Sequence, residues 1–305
     1  GATGSGKTYM TKSMVNRMLE TPFEERGFSI LCIQRIKHDF DSLTTLHPNF
    51  GILDWKDLRY NMWQVESWDT PIEKYKSACT IFAGENFLYA NTEPIMRWAV
   101  RKAYEAKKTF EGSNEFPTFD EIKKWVASYE SKENLHGFQT KDAASNLGNR
   151  LGQFRDEGDI LNPKHGFTTR VFLENDICFN VMDESEFTTR TIIMNILYDI
   201  QRFLQKHPNE KPETGMRILV VIDEASWLFE KSRDSGPIPS NRILQSWFTT
   251  CRESGFGRII STQSPHNISP FVTENCAYSM TFPVYGKSVE TMQELQNLSD
   301  EQREH

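Results

Sequence analysis

Gly1-Ala-Thr-Gly-Ser-Gly-Lys-Thr8 opens the sequence, and the spacing within it decides what kind of fold follows. Gly1, Gly6, Lys7 and Thr8 satisfy the pattern Gly-x4-Gly-Lys-[Ser/Thr] in full, a loop that leads from a buried strand into a helix. Its glycines let the backbone curl until successive N–H groups point at one anion, and the helix behind adds its positive end. Gly1, Ala2, Thr3, Gly4, Ser5, Gly6, Lys7 and Thr8 are therefore all candidates for binding phosphate. Lys7 supplies a point charge for the β- and γ-phosphates and the Thr8 hydroxyl a ligand for Mg²⁺, so ATP and Mg²⁺ are the expected substrate and cofactor. The sequence starts on the loop's first glycine, and its tail, residues 298–305, reads as a helix start cut off mid-turn. Both ends are expected to be artificial, with a strand ahead of Gly1 belonging in the middle of the sheet.

The loop needs a metal- and water-handling partner. Residues 217–224, Arg-Ile-Leu-Val-Val-Ile-Asp-Glu, supply the clearest buried strand in the chain, and its apolar run ends in two acids. Asp223 is the candidate for holding the hydrated Mg²⁺, and Glu224 the candidate general base for the attacking water. An acid pair at a strand end is common on its own; with the loop at residues 1–8 it points to hydrolysis.

Between and beyond these motifs, strand and helix patterns alternate. Residues 5–19, 93–106, 119–129, 142–154 and 187–204 read as helices, and 28–33, 169–173 and 176–181 as strands. A polar loop over 230–241 is followed by an expected helix at 243–253, strands at 258–262 and 277–284, and a helix at 289–298. This alternation argues for an α/β fold with a mainly parallel sheet covered on both faces. Residues 70–165 differ in texture, charged and aromatic, and read as a helical insertion whose rings pack a core rather than stack bases. The chain divides accordingly into a first part of the core over 1–69, the insertion over 70–165, and a second part of the core over 166–305.

A third constellation follows the acid pair: Cys251-Arg-Glu-Ser-Gly-Phe-Gly257, a strand, then Thr262-Gln263. Gln263 stands at a strand tip, within reach of a nucleotide. Arg252 stands near a helix end, where the dipole favours a cation in any case. The loop, the Asp-Glu-Ala strand, the Arg-Glu-x-Gly-x-Gly turn and the Thr-Gln strand end together resemble the HerA/FtsK superfamily of P-loop motor ATPases. Residues 261–270 and 273–276 are similar to that superfamily's segment after Thr-Gln. Within it the chain looks most like HerA-type ATPases and the conjugative coupling or type IV secretion ATPases.

The resemblance implies a RecA-like P-loop NTPase core working as a homo-hexameric ring with ATP between subunits. It implies that Gln263 senses the γ-phosphate and that Arg252 reaches into the neighbour's ATP. One turn departs from the superfamily: an acid-Pro-basic-Gly-acid pattern is expected after the second strand, and this chain has Arg35-Ile-Lys-His-Asp39, keeping only the later acid. The β-barrel that HerA-type proteins carry ahead of the motor is not in the sequence.

Bulk composition limits the rest. A chain of 305 residues holds one large α/β domain or two ordinary ones, and a net charge of −7 leaves room only for a local basic track toward nucleic acid. Lys231 and Arg233 are too few to define such a track. Five scattered cysteines without a Cys-x-x-Cys pair read as reduced thiols, and no stretch is apolar enough to span a bilayer. A cytoplasmic location follows, or the inner face of the membrane for a secretion ATPase. The leading functional reading is a ring motor that translocates DNA, with a nuclease as partner. The alternative is a conjugative or type IV secretion ATPase engaged with a transfer channel. A nucleotide-gated scaffold with little turnover is disfavoured by the presence of Glu224 and Arg252.

Overall fold

The computed structural model describes residues 6–35, 37–86, 88, 91–130, 138–155, 157–181, 185–210, 215–232, 248, 252–282 and 290–292. In chain order the elements are α1 (Lys7–Leu19), α2 (Phe23–Arg26), β1 (Ser29–Arg35), α3 (Leu43–Leu46) and β2 (Phe50–Asp54). Four helices follow: α4 (Pro71–Glu85), α5 (Thr92–Ala106), α6 (Phe119–Glu130) and α7 (Phe138–Arg155). Then come α8 (Thr169–Glu174), β3 (Asp176–Val181), α9 (Glu186–Lys206), β4 (Ile218–Ile222), β5 (Phe256–Ile260) and α10 (Pro270–Glu274).

Among the described residues the strands form one all-parallel sheet in the order β2-β3-β1-β4-β5. Burial follows this order: β4 is buried at every residue and β1 at six of its seven, whereas β2 and β5, at the outside, are half-open. Each described strand is hydrogen-bonded to the next without a gap.

Side chains alternate across the sheet, as a two-residue repeat requires. Leu31, Ile33, Phe179, Val220 and Ile222 face one apolar core with α4–α9. Ile30, Cys32, Cys178, Leu219 and Val221 face the other, under Val15 of α1 and Leu43 of α3. Helices on both faces of a parallel sheet leave its C-terminal edge as the open side, where such folds bind ligands.

Helix α9 is buried along nearly its whole length, packed against α4 and α8 within the core it shares with the sheet. Several of its polar side chains form pairs with these surroundings. Arg190 Nε donates to Glu85 Oε2 at 3.0 Å, Tyr60 Oη lies 2.7 Å from Asn195 Oδ1, and Lys74 forms an ion pair with Asp199. Arg202 Nη1 donates to Asp69 Oδ2 at 2.7 Å. The aromatic residues of α4–α7 pack as core: Phe119 and Phe154 stack at 4.8 Å, and Trp98 meets Tyr129 at 4.9 Å.

Three expected elements differ. Residues 169–173 form helix α8 rather than a strand, because Glu66 Oε1 accepts from both Thr169 N (2.8 Å) and Thr169 Oγ1 (2.7 Å) and caps the first turn from outside. The strand expected at 258–262 runs two residues earlier, as β5, its register set by Ile218 opposite Phe256. Residues 277–282 have no ladder partner among the described residues and form no strand; Tyr278 stands exposed there. The polar loop at 230–241 and the helices at 243–253 and 289–298 lie largely outside the described residues.

Candidate functional site

Helix α1 starts at Lys7, and Gly6 before it adopts φ 87°, ψ 0°, the left-handed turn for which glycine is suited. Met10 N donates to Gly6 O at 2.8 Å, closing the first helical turn on that glycine. Lys7 and Thr8 sit half-buried on this turn, which carries no acidic side chain, so its positive end is not countered locally. Gly1, Ala2, Thr3, Gly4 and Ser5 lie outside the described residues. Lys7 lines a cleft of about 1410 Å³ together with Met10, Met14, Ser261, Thr262 and Phe282. The cleft thus joins the start of α1 to the turn that follows β5.

That turn meets the acid pair. Asp223 extends β4 by one residue, its N–H donating to Ile33 O at 3.1 Å, and Ser261 N donates to Ile222 O at 2.9 Å on the other side. Burial holds the Asp223 carboxyl above its ordinary range. The charges of Glu224 and Asp39 push it further up, while the Ser261 side chain and the Glu224 backbone offset part of the effect. Asp39, the acid kept from the superfamily's turn, therefore acts on the same group. Concentrated negative charge in a desolvated place is a setting that a divalent cation relieves. Among the described residues no cluster of three or more His, Cys, Asp or Glu forms a ready-made metal cage. Asp223 offers a carboxylate and Thr8 a hydroxyl, the donor types that a magnesium ion takes beside phosphate and water.

Glu224 turns the chain sharply, with φ 51° and ψ 55°, a left-handed conformation that a glutamate seldom adopts. Ala225 N donates to Ser261 O at 2.7 Å and pins the far side of the turn. The carboxylate folds back: Glu224 Oε1 accepts from Ser226 Oγ at 2.8 Å and from Gln263 N at 3.1 Å. Two residues singled out from sequence, Glu224 and Gln263, are thereby in direct contact. Arg252 belongs to a single 3-10 turn (Arg252–Ser254), and its side chain is outside the description. Lys231 is exposed, and Arg233 is outside the described residues.

The sequence reading missed Asp41, Ser226 and Ser261. Asp41 shapes the turn after β1: Gln34 Nε2 donates to Asp41 Oδ1 and to Asn180 Oδ1, both at 2.6 Å, while Phe40 N donates to Gln34 Oε1 at 3.1 Å. Only a tertiary contact between β1 and β3 reveals that role. Among the described cysteines, Cys32, Cys79 and Cys178 are buried free thiols, and burial pushes all three up in pKa.

No protein-family model matches the chain. A comparison with characterised proteins likewise gives no match. Solved structures do match. The structure of VirB4 of Thermoanaerobacter pseudethanolicus superposes with a TM-score of 0.72 at 13% identity, over 100% of this chain and 81% of that one. The bacterial conjugative coupling protein TrwBdeltaN70, in its trigonal form with sulphate, gives 0.56 at 16% identity, over 97% and 66%. Plasmid coupling protein TrwB in complex with ADP and Mg²⁺ gives 0.55 at 15% identity, over 87% of this chain and 63% of that one. The fold is that of these proteins, a RecA-like P-loop NTPase core with a parallel sheet. No described helix is long and apolar enough to cross a membrane.

Proposed function

We propose that this chain is the motor portion of an ATP-hydrolysing ring ATPase of the HerA/FtsK type, working in conjugative or type IV secretion transfer. One observation carries the reading: the first turn of α1 and the turn after β5 line one cleft, and that second turn is hydrogen-bonded to Glu224 beside Asp223. Lys7 and the turn that holds Glu224 then border one cleft, an arrangement suited to in-line attack on a phosphoryl group.

In this mechanism Lys7 and the amides of the loop hold the β- and γ-phosphates. Thr8 and Asp223 would hold Mg²⁺, which would neutralise phosphate charge when bound. Glu224 accepts a proton from the attacking water as its oxygen bonds to the γ-phosphorus and the bond to the ADP oxygen breaks. Gln263 reads the γ-phosphate, and Arg252 of a neighbouring subunit neutralises the charge that develops. The products are ADP and inorganic phosphate.

DNA is the polymer this reading assigns to the motor, in a homo-hexamer on the cytoplasmic side, and the conjugative coupling protein among the structural relatives supports it. The fuller superposition on VirB4 favours the second form, a secretion-type ATPase engaged with a transfer channel. ATPase activity measured with and without DNA separates them: stimulation supports DNA translocation, and unchanged turnover supports the secretion form. Lys7→Ala is expected to abolish nucleotide binding, and Glu224→Gln to keep binding while losing turnover. Turnover by Glu224→Gln at the parental rate would make another group the base.

A further inference from the structure

We infer that Ser226 is a positioning residue for hydrolysis, its hydroxyl holding the Glu224 carboxylate in the orientation that presents Oε2 to the attacking water. The inference rests on the proposed hydrolytic role of Glu224 and adds a group that role needs.

A carboxylate can act as a base through either oxygen and rotates readily about its last bond, so an unrestrained glutamate spends little time in one attack geometry. Here both donors fall on one oxygen. Ser226 Oγ lies 2.8 Å and Gln263 N 3.1 Å from Glu224 Oε1. Among the described residues no donor is bound to Oε2, which leaves that oxygen as the acceptor. Two bonds on one oxygen from different directions fix the plane of the group, which a single bond does not.

The backbone explains why Ser226 can reach. Glu224 is left-handed at φ 51°, and residues Ala225–Trp227 continue as one 3-10 turn. This brings position 226 back over the glutamate two residues before it. The turn is anchored at both ends, by Asp223 N on Ile33 O (3.1 Å) and by Ala225 N on Ser261 O (2.7 Å). Ser226 is half-buried. Alanine at 226 keeps the backbone and removes only the donor. Threonine restores the donor.

The test uses the complete, assembled protein. Ser226→Ala is expected to lower kcat on the order of tenfold, the cost of a base held by one bond instead of two. KM and the affinity for a non-hydrolysable ATP analogue stay at the parental values, and Ser226→Thr recovers most of kcat. In the Glu224→Gln background the same Ser226→Ala change is expected to leave residual turnover unaltered, since the group it positions is gone. Parental kcat in Ser226→Ala overturns the inference, as does an equal loss in the Glu224→Gln background. A rise in kcat also overturns it, because the bond would then be holding Glu224 off the water. Failure of the underlying reading looks different: the parental protein itself then hydrolyses no ATP, or Glu224→Gln hydrolyses it normally.

Discussion

Asp223 carries its charge where that charge is costly, and the cost has a pH signature. Its carboxyl is held above the ordinary range by burial first, then by Glu224 and Asp39. The folded form therefore binds the proton more tightly than the unfolded chain does. The stability this gives is fully present below the unfolded carboxylate range and is lost as pH rises through the raised value. Asp223→Asn removes the loss while keeping an acceptor. Its melting temperature in the absence of nucleotide is expected to exceed the parental one at neutral pH, by about 2 °C or more for a chain of this size. The difference should close toward pH 3. Added Mg²⁺ with nucleotide should stabilise the parental protein more than the variant. A constant difference across pH would assign the effect to packing instead. Glu224 next to it shows the same economy: a residue in a left-handed conformation persists only where surrounding bonds over-determine it, and those bonds are the ones that aim its carboxylate.

Among the elements, the turn into β5 shows how a motif read for function is first a device of the fold. Gly255 sits at φ +82°, and a Cβ there would lie 2.7 Å from Gly215 O. Its own carbonyl accepts from Arg217 N at 2.7 Å, so the approach is fixed by the ladder start of β4. Gly255→Ala should cost about 2 kcal/mol or more, since the left-handed strain alone costs about 1–2 kcal/mol and backbone must also shift. A urea melt with an unchanged midpoint would contradict this geometry. Helix α4 tells a related story. Glu85 at its end is the described partner of the Arg190 guanidinium, whose two terminal nitrogens are buried without a partner among the described residues. Glu85→Ala leaves that charge buried alone and is expected to destabilise by about 3–5 kcal/mol. How much was legible in sequence follows from these cases. Strands β1, β3 and β4 were readable because both faces are buried and the apolar runs are continuous. Strand β2 was missed because Gly51 and an exposed edge break its pattern. Helix α4 was not singled out although Thr70-Pro-Ile-Glu73 is a capping signature, with Thr70 Oγ1 accepting from Glu73 N at 3.3 Å. Residues 169–173 misled because the cap that makes them helical comes from Glu66, about a hundred residues away in sequence. In the candidate site, spacing alone singles out Lys7, Asp223 and Glu224, whereas the bonds of Ser226 and Asp41 exist only through contacts that folding creates.

For the whole molecule, the decisive question is whether a site is completed within one chain or between two. Lys7, Asp223 and Glu224, the groups proposed to hold phosphate and metal and to activate water, belong to one chain, and the charge proposed to come from a neighbour is Arg252. Arg252 opens the 3-10 turn ahead of β5, and Gln263 follows the same strand, so strand β5 separates them. Gln263 follows the C-terminal end of β5 and Arg252 precedes its N-terminal end, so the proposed role of Arg252 at a nucleotide is a role at a neighbouring subunit's. Arg252→Ala in the complete protein should then keep ATP binding and lose hydrolysis by roughly 10³-fold or more, the scale of such an arginine. Mixing Arg252→Ala subunits with Lys7→Ala subunits is the sharper experiment. Each variant alone lacks one half of every site. In a mixed ring, an intact Lys7 site from the first variant can face an intact Arg252 from the second, so part of the activity should return. If Arg252 only complements a helix end, its loss costs about 1 kcal/mol of stability and little turnover, and there is nothing for mixing to rescue. Rings that assemble from both variants yet stay inactive would remove the arginine from the interface and leave each subunit to finish its own site.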